Sequence, residues 1–491
     1  MKNFFKKGKD MGYKHGTHGE FNNTVNPTPA QSGTIPVYVG VAPVHLVNGW
    51  KEKDVVNYPV KIASIDHVKK YMGFTSDWDT YTLCEAFSAH FSNDVAAAGP
   101  IVAINVLDPD THKKAEKKTE QLAFVNDVAK ISSNTIIVDT AVVANAVLGV
   151  DYTIEYDFET GNAVITRLTS SVADSASITY SEIDVSNIDK STIIGSKSPG
   201  GAYTGLSCLN LVYPELGIVA NIIDIPKYSQ EPDVYKAMLK AAEKINGHWY
   251  AWVNADIPVT SASMESAITW KKTNGYVSER SKVCWPKWKL KDGKVYHMST
   301  IATWLMTVVD SQNDGVPMES PSNKEIPAGK QYFGADSVNR GYDQDMANKL
   351  NANGITTAVY WGGKTVLWGP HTAAFVDDDN VDQRSVFDTN MRMMMYILNS
   401  YQQEHGEMID KPMTKALSDT IKNREQEKLD ALVAVGALIG QPKIERVESD
   451  VSNGDFEWKA VITSTPPFKS GTLGLAFSAE GFAAYEEGGE E

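Results

Sequence analysis

The chain has 491 residues, too many for one ordinary hydrophobic core, so two to four domains are expected. Its 46 basic and 61 acidic side chains give a formal charge of −15, which repels nucleic acid and anionic membrane unless a basic patch is segregated. Three scattered cysteines (Cys84, Cys208, Cys284), none in a CxxC pair, speak against a disulfide framework or a cysteine zinc site.

No apolar run reaches the roughly 18 residues a membrane helix needs. The opening Met1–Asp10 stretch is charged but lacks the apolar centre of a signal peptide. Residues 1–34 are rich in Gly, Asn, Thr, Pro and Lys and too polar to order themselves, so they read as an arm that docks elsewhere or stays disordered.

The first strand candidate is Val37–Ala42. Leu83, Phe87 and Phe91 recur every four residues and predict a helix over 81–91. The continuous apolar run Pro100–Val106 suits a strand buried on both faces. Residues 113–197 change character: Ala, Ser, Thr, Val, Ile and Asp dominate and tryptophan vanishes. Within them Tyr152–Phe158 alternates, turns at Glu159–Asn162, and returns through Ala163–Leu168, a hairpin pattern. This segment reads as a small all-β domain inserted into a larger one.

Strand–helix alternation then resumes. Strands are expected at 217–225, 249–254 and 282–285, and helices open at Ser229–Asp233 and run near 262–273 and 300–309. In the helix after Pro232, Val234, Met238, Ala241 and Ile245 line one face. Such alternation implies an α/β layer with a mainly parallel or mixed sheet. Residues 311–340 read as a polar loop. A hairpin follows over Thr357–Pro370, then a methionine-rich helix over 386–403 and a charged helix over 412–437. Leu417, Ile421, Leu429 and Leu432 form the narrow apolar seam of that last helix. The chain closes with strand patterns at Phe456–Ile462 and Thr472–Phe477 and an acidic tail, Glu486–Glu491.

Motifs for chemistry fail on inspection. Gly363-Lys364-Thr365 ends like a phosphate loop, but Ala358 stands where that loop needs glycine. Asp310–Gly315 opens like a calcium loop, but Gln312 and Pro321 occupy ligand positions. Asp377, Asp378, Asp379 and Asp382 read as a solvated acidic loop capping the next helix. His15 and His18 have no third ligand nearby. No HExxH, GxSxG or dinucleotide loop is present, and no cofactor or metal is expected.

The stretch Gly354-Ile-Thr356 with Lys364-Thr-Val-Leu-Trp-Gly-Pro-His371 resembles the "G-I-N … T-V-V-W-G-A-R-T" segment of contractile phage tail sheath proteins. The Arg-bearing helix 384–401, the helix reaching Leu438, the Pro466-Pro467 linker and the strands of 456–477 continue the resemblance. The entry Gly33–Gly40 is similar to that family's "P-G-V-Y-V". Similarity is clearest over 350–480. Pro370-His371 replaces the usual Ala-Arg, and the common Pro-Ala-Glu before the last strand is missing.

The resemblance implies a non-enzymatic fold: a discontinuous α/β core of 35–112 and 198–445 carrying the 113–197 insertion. The arms would be 1–34 and 446–491. It implies a helical homopolymer of stacked hexameric rings around a tail tube protein, bounded by baseplate and terminator proteins. That polymer would sit in the virion tail and be assembled in the bacterial host cytoplasm. It would shorten to drive the tube through the host envelope, with neither nucleic acid nor membrane insertion. Arms would add strands to neighbours' sheets, with Phe21, Val25, Phe456, Trp458, Ala460 and Ile462 as inter-subunit contacts. A phage-like bacteriocin or other contractile injection system fits equally. From another class, a soluble α/β hydrolase or transferase with an inserted β domain remains the rival.

Overall fold

The structure is a computed structural model describing residues 33–260, 263–334, 342–377, 381–480 and 482, with the backbone alone of 30–31. Its centre is an eight-stranded sheet. The strands, in chain order, are β1 (Pro36–Gly40), β2 (Pro59–Ile62), β3 (Ile101–Asn105), β4 (Ile222–Asp224), β5 (Trp252–Asp256), β6 (Ser281–Cys284), β7 (Ile355–Trp361) and β8 (Lys364–Trp368). Their spatial order is β8-β7-β6-β5-β4-β1-β3-β2. From β7 to β3 every pairing is parallel, and the two edge strands run antiparallel to their neighbours.

Every residue of β1, β3 and β5 is buried, as a strand covered by helices on both faces must be, although β5 carries Asn254 and Asp256 into that interior. The covering helices used below are α1 (Leu83–Phe91), α2 (Pro232–Ala241), α3 (Met264–Thr273), α4 (Met298–Gln312), α5 (Asp388–His405) and α6 (Lys415–Ala434). Alternation along the strands sorts the contacts. Ile222 and Trp252 pack with Met306, Met391 and Met395, whereas Ile223 and Val253 join the main core with Val234 and Met238 of α2. The methionine cluster on α5 is thus core packing on the sheet, with Met393 turned toward α6.

Between β3 and β4 the chain builds two three-stranded antiparallel sheets. One joins Val128–Ile131, Asn162–Arg167 and Tyr152–Asp157; the other joins Lys118–Ala123, Ser175–Tyr180 and Val142–Val143. They enclose their own apolar cluster, with Ile154, Ile165, Ile178 and Tyr180 at its centre.

Four local expectations change. The strand expected over 217–225 is only Ile222–Asp224. The helix after Pro232 stops at Ala241, so Ile245 lies on a short strand beyond it. The polar loop 311–340 contains the strand Gly329–Tyr332, paired with Lys287–Leu290. Most consequential, Thr472–Phe477 is not a strand: the pattern is there, but no strand pairs with it among the described residues. An isolated alternating segment has no partner backbone to satisfy its amides.

Candidate assembly surface

The C-terminal hairpin pairs β9 (Lys443–Val447) with β10 (Glu457–Val461), register Glu445 to Lys459. It rests on α5 and α6. Ile444, Trp458 and Ile462 share an apolar cluster with Leu429, Tyr396 and Ile397. A hydrogen-bonded pair, His405 Nε2 and Glu425 Oε1 at 2.6 Å, holds the two helices together inside this layer. Lys428 adds contacts to Glu404 at 2.5 Å and Glu425 at 2.7 Å. Asn399 ties α5 back to the sheet by accepting from Tyr250 N–H at 3.0 Å and donating to its carbonyl at 2.8 Å.

Phe456, Trp458, Ala460 and Ile462 lie on one side of β10, as their alternation predicts, and together line a groove of about 340 Å³ against Met394 and Tyr401. That groove is within the chain's own C-terminal layer. Trp458 stacks loosely near Phe456 and Tyr401, and Arg446 sits over the Phe456 ring. Phe21 and Val25 lie outside the described residues, as do His15, His18, Asp378, Asp379 and the acidic ending. Asp382 commits its carboxylate to Arg384, accepting from the backbone N–H and from Nε.

Beyond the hairpin the chain runs out over the surface. Phe468 is 91 % exposed, and Leu473, Leu475 and Phe477, at alternate positions of the following segment, are each more than 80 % exposed. Single exposed apolar residues are ordinary, but an alternating row of three is a strand face without a sheet. β9–β10 carries no third strand on either edge among the described residues; on the β9 side the Ile444 N–H is taken by Gln426 of α6 at 3.1 Å, which leaves the β10 edge for pairing.

The opposite end of the chain is anchored. The backbone of Ala30–Gln31 pairs in parallel with Ala98–Gly99. Thr34 is buried, and its hydroxyl donates to Asp310 at the C-terminal end of α4. Asp310 in turn pairs with buried Arg392 of α5. Sequence reasoning discarded Asp310 as a failed calcium loop. Its role lies in partners 82 and 276 residues away, for which no local pattern exists.

The polar cluster nearest to an enzyme site lies at the C-terminal ends of β4 and β5, the usual ligand side of an open α/β sheet. It contains Asp224, Asp256, Glu85, His297 and Ser299, and all are 4 % exposed or less. The N-terminus of α4 seals it, so no substrate has access. Among the described residues no group of three or more His, Cys, Asp or Glu side chains is placed to hold a metal. No helix among them is long and apolar enough to cross a membrane.

No family model matches the chain. It is 25 % identical over 438 residues to a tail sheath protein of Burkholderia phage BcepMu, covering 84 % of this chain and 86 % of that protein. The fold is shared with a chain of the six-fold symmetrised anti-feeding prophage baseplate, with TM-score 0.56, 12 % identity and coverage of 95 % and 100 %. It is also shared with the sheath complex of the extracellular contractile injection system PVC in its contracted state, with TM-score 0.52, 11 % identity and coverage of 96 % and 99 %. The chain therefore has the fold found in the contractile injection-system class. In sequence it resembles phage tail sheath proteins.

Proposed function

We propose that this protein polymerises as stacked hexameric rings around a tail tube and that the polymer contracts to drive the tube through a host cell envelope. Its partners are further copies of itself, the tube protein, and the baseplate and terminator proteins at the two ends, and its place is the particle's tail. The observation that carries the reading is the exposed alternating row Leu473, Leu475 and Phe477 that follows a two-stranded hairpin with no third strand among the described residues. A donor strand and an acceptor sheet left unpaired within one chain can satisfy each other between copies. Residues 1–34 supply a second arm, and Phe21, Val25, Phe456, Trp458, Ala460 and Ile462 are the proposed contacts. In that arrangement backbone pairing holds neighbours while linkers such as Pro466-Pro467 let rings slide. Work then comes from lattice rearrangement, with the free-energy drop spread over many subunit contacts.

The six-fold baseplate and the contracted sheath to which the fold is similar support both the ring symmetry and the contraction. They also favour a second reading of the same kind, the sheath of a bacteriocin-like or extracellular injection particle. Negative-stain microscopy of the purified chain tests the proposal: tubes or stacked rings are expected, and compact monomers turning over a substrate would overturn it. Deleting residues 1–25 should leave a soluble subunit that forms no tubes.

A further inference from the structure

The sealed cluster under α4 contains a hydrogen-bond count that does not close without an extra proton. Trp252 Nε1–H can only donate, and it reaches Asn254 Oδ1 at 2.9 Å. The Asn254 amide therefore presents its NH₂ to Thr303 Oγ1, at 2.8 Å. Thr303 thus accepts from Asn254 and gives its single hydrogen to Asp224 Oδ2, at 2.9 Å. Ser299 is the second link. Its backbone N–H donates to Asp256 Oδ1 at 3.0 Å. Its hydroxyl lies 2.5 Å from Asp256 Oδ2 and 3.1 Å from Asp224 Oδ1. One hydroxyl has one hydrogen and cannot donate to two carboxylates at once.

We propose that Asp224 and Asp256 hold one proton between them, relayed through the Ser299 hydroxyl, and that this proton latches the first turn of α4 to the sheet. The proton rests on Asp224 Oδ1, which donates to Ser299 Oγ, and Ser299 donates to Asp256 Oδ2. Asp256 is the better anion, because it also receives the helix-terminal N–H of Ser299.

The surroundings agree. Asp224 is 0 % and Asp256 1 % exposed. Burial first, and then the facing Asp256, push the Asp224 carboxyl well above the usual carboxylate range. Across from the pair, α1 contributes Glu85, whose two oxygens take the backbone N–H and Nδ1 of His297. β1 contributes Tyr38, whose hydroxyl bonds His90. From β6 comes Cys284, a thiol pushed upward by burial, and Tyr276 donates to the Ser229 carbonyl. Lys282, on the same strand as Cys284, is committed to Asp388 at 2.9 Å and supplies no counter-charge here. Losing the proton sets two carboxylates against one hydroxyl and drives the first turn of α4 off the sheet.

The test uses the full-length chain and Asp224→Asn, whose amide offers the same acceptor to Thr303 and the same donor to Ser299 as the protonated acid. With aspartate carboxyls isotopically labelled, the infrared spectrum at pH 7 should show a protonated-acid band that Asp224→Asn removes. The wild-type unfolding constant, relative to that of the variant, should rise about tenfold per pH unit above pH ~5, one proton's worth. A missing band, or a ratio flat with pH, would overturn the proposal. Should Asp224→Asn not fold, Ser299→Ala decides. It changes the hydrogen bond of this carboxyl and of no aspartate outside the pair, so the band must shift, and an unshifted band rejects the latch.

Discussion

The Thr34 hydroxyl donates to Asp310 Oδ2 across 2.6 Å, and the same oxygen accepts from Arg392. One buried carboxylate thereby fastens the root of the N-terminal arm, the end of α4 and the start of α5 to each other.

Cutting this joint from its two sides should give unequal costs. Asp310→Ala strands the Arg392 cation in a site that is 4 % exposed, a loss of about 3–5 kcal/mol. Thr34→Val removes one hydrogen bond to a charged group, about 1.5–3 kcal/mol, and leaves the ion pair standing. Urea unfolding of the two variants measures the difference. Equal costs would mean that Arg392 is not the stranded partner.

Acid should weaken the subunit through its buried histidines. Burial lowers His45, His90 and His371 to about 4, against a backbone hydrogen bond that opposes the shift in each. A depressed folded-state value means stability that is complete above the unfolded value of ~6.5 and is lost as pH falls toward 4. For a fully buried ring such as His90 the loss at pH 5 is about 2 kcal/mol. Asp224 and Asp256, shifted upward, act in the opposite sense over the same range. The clean measurement is thus a difference: urea midpoints of the wild type and His90→Gln should converge as pH drops from 7 to 5. Parallel curves would show that His90 takes up its proton without cost.

How much of this could be read from the chain depends on how far apart the partners lie. The β7–β8 hairpin was legible because Gly362 and Gly363 supply the two positive φ angles, +59° and +84°, that such a tight turn requires. The core strand Ile101–Asn105 was legible because burial on both faces leaves a continuous apolar run. Glu85 and His297, 212 residues apart, carry no local signal, and neither does the Asp224–Ser299–Asp256 relay. Thr472–Phe477 is the instructive miss. Its pattern is that of a strand, yet pairing is a property of two backbones, and the second is not among the described residues of this chain.

That miss yields a test with a built-in control. If Leu473, Leu475 and Phe477 enter a neighbour's sheet, charge on that face must block assembly while charge on the other face is tolerated. Leu475→Asp should abolish tubes in the electron microscope, and Ala476→Asp should form them. Both residues are exposed in the single chain, so neither change should move subunit stability by more than about 0.5 kcal/mol. Equal assembly by both variants would remove this segment from the contact.

The glycine that opens the family-like motif should prove structural. Gly354 has φ +62°, in the left-handed region, where it ends the turn between the helix Gln344–Asn351 and β7. A Cβ there would stand 2.6 Å from the Thr372 carbonyl oxygen and 2.7 Å from that of Phe375, both backbone atoms with no flexible end to swing aside. The left-handed backbone alone costs an L-residue about 1–2 kcal/mol, and the two carbonyl clashes add to it. Gly354→Ala should therefore lower stability by more than about 2 kcal/mol. Gly362→Ala meets nothing within 4 Å and should lose only the backbone share. Thermal unfolding of the pair separates the contributions. A Gly354→Ala loss no larger than that of Gly362→Ala would mean that the 372–375 segment yields, and that this glycine is retained for some reason other than close packing.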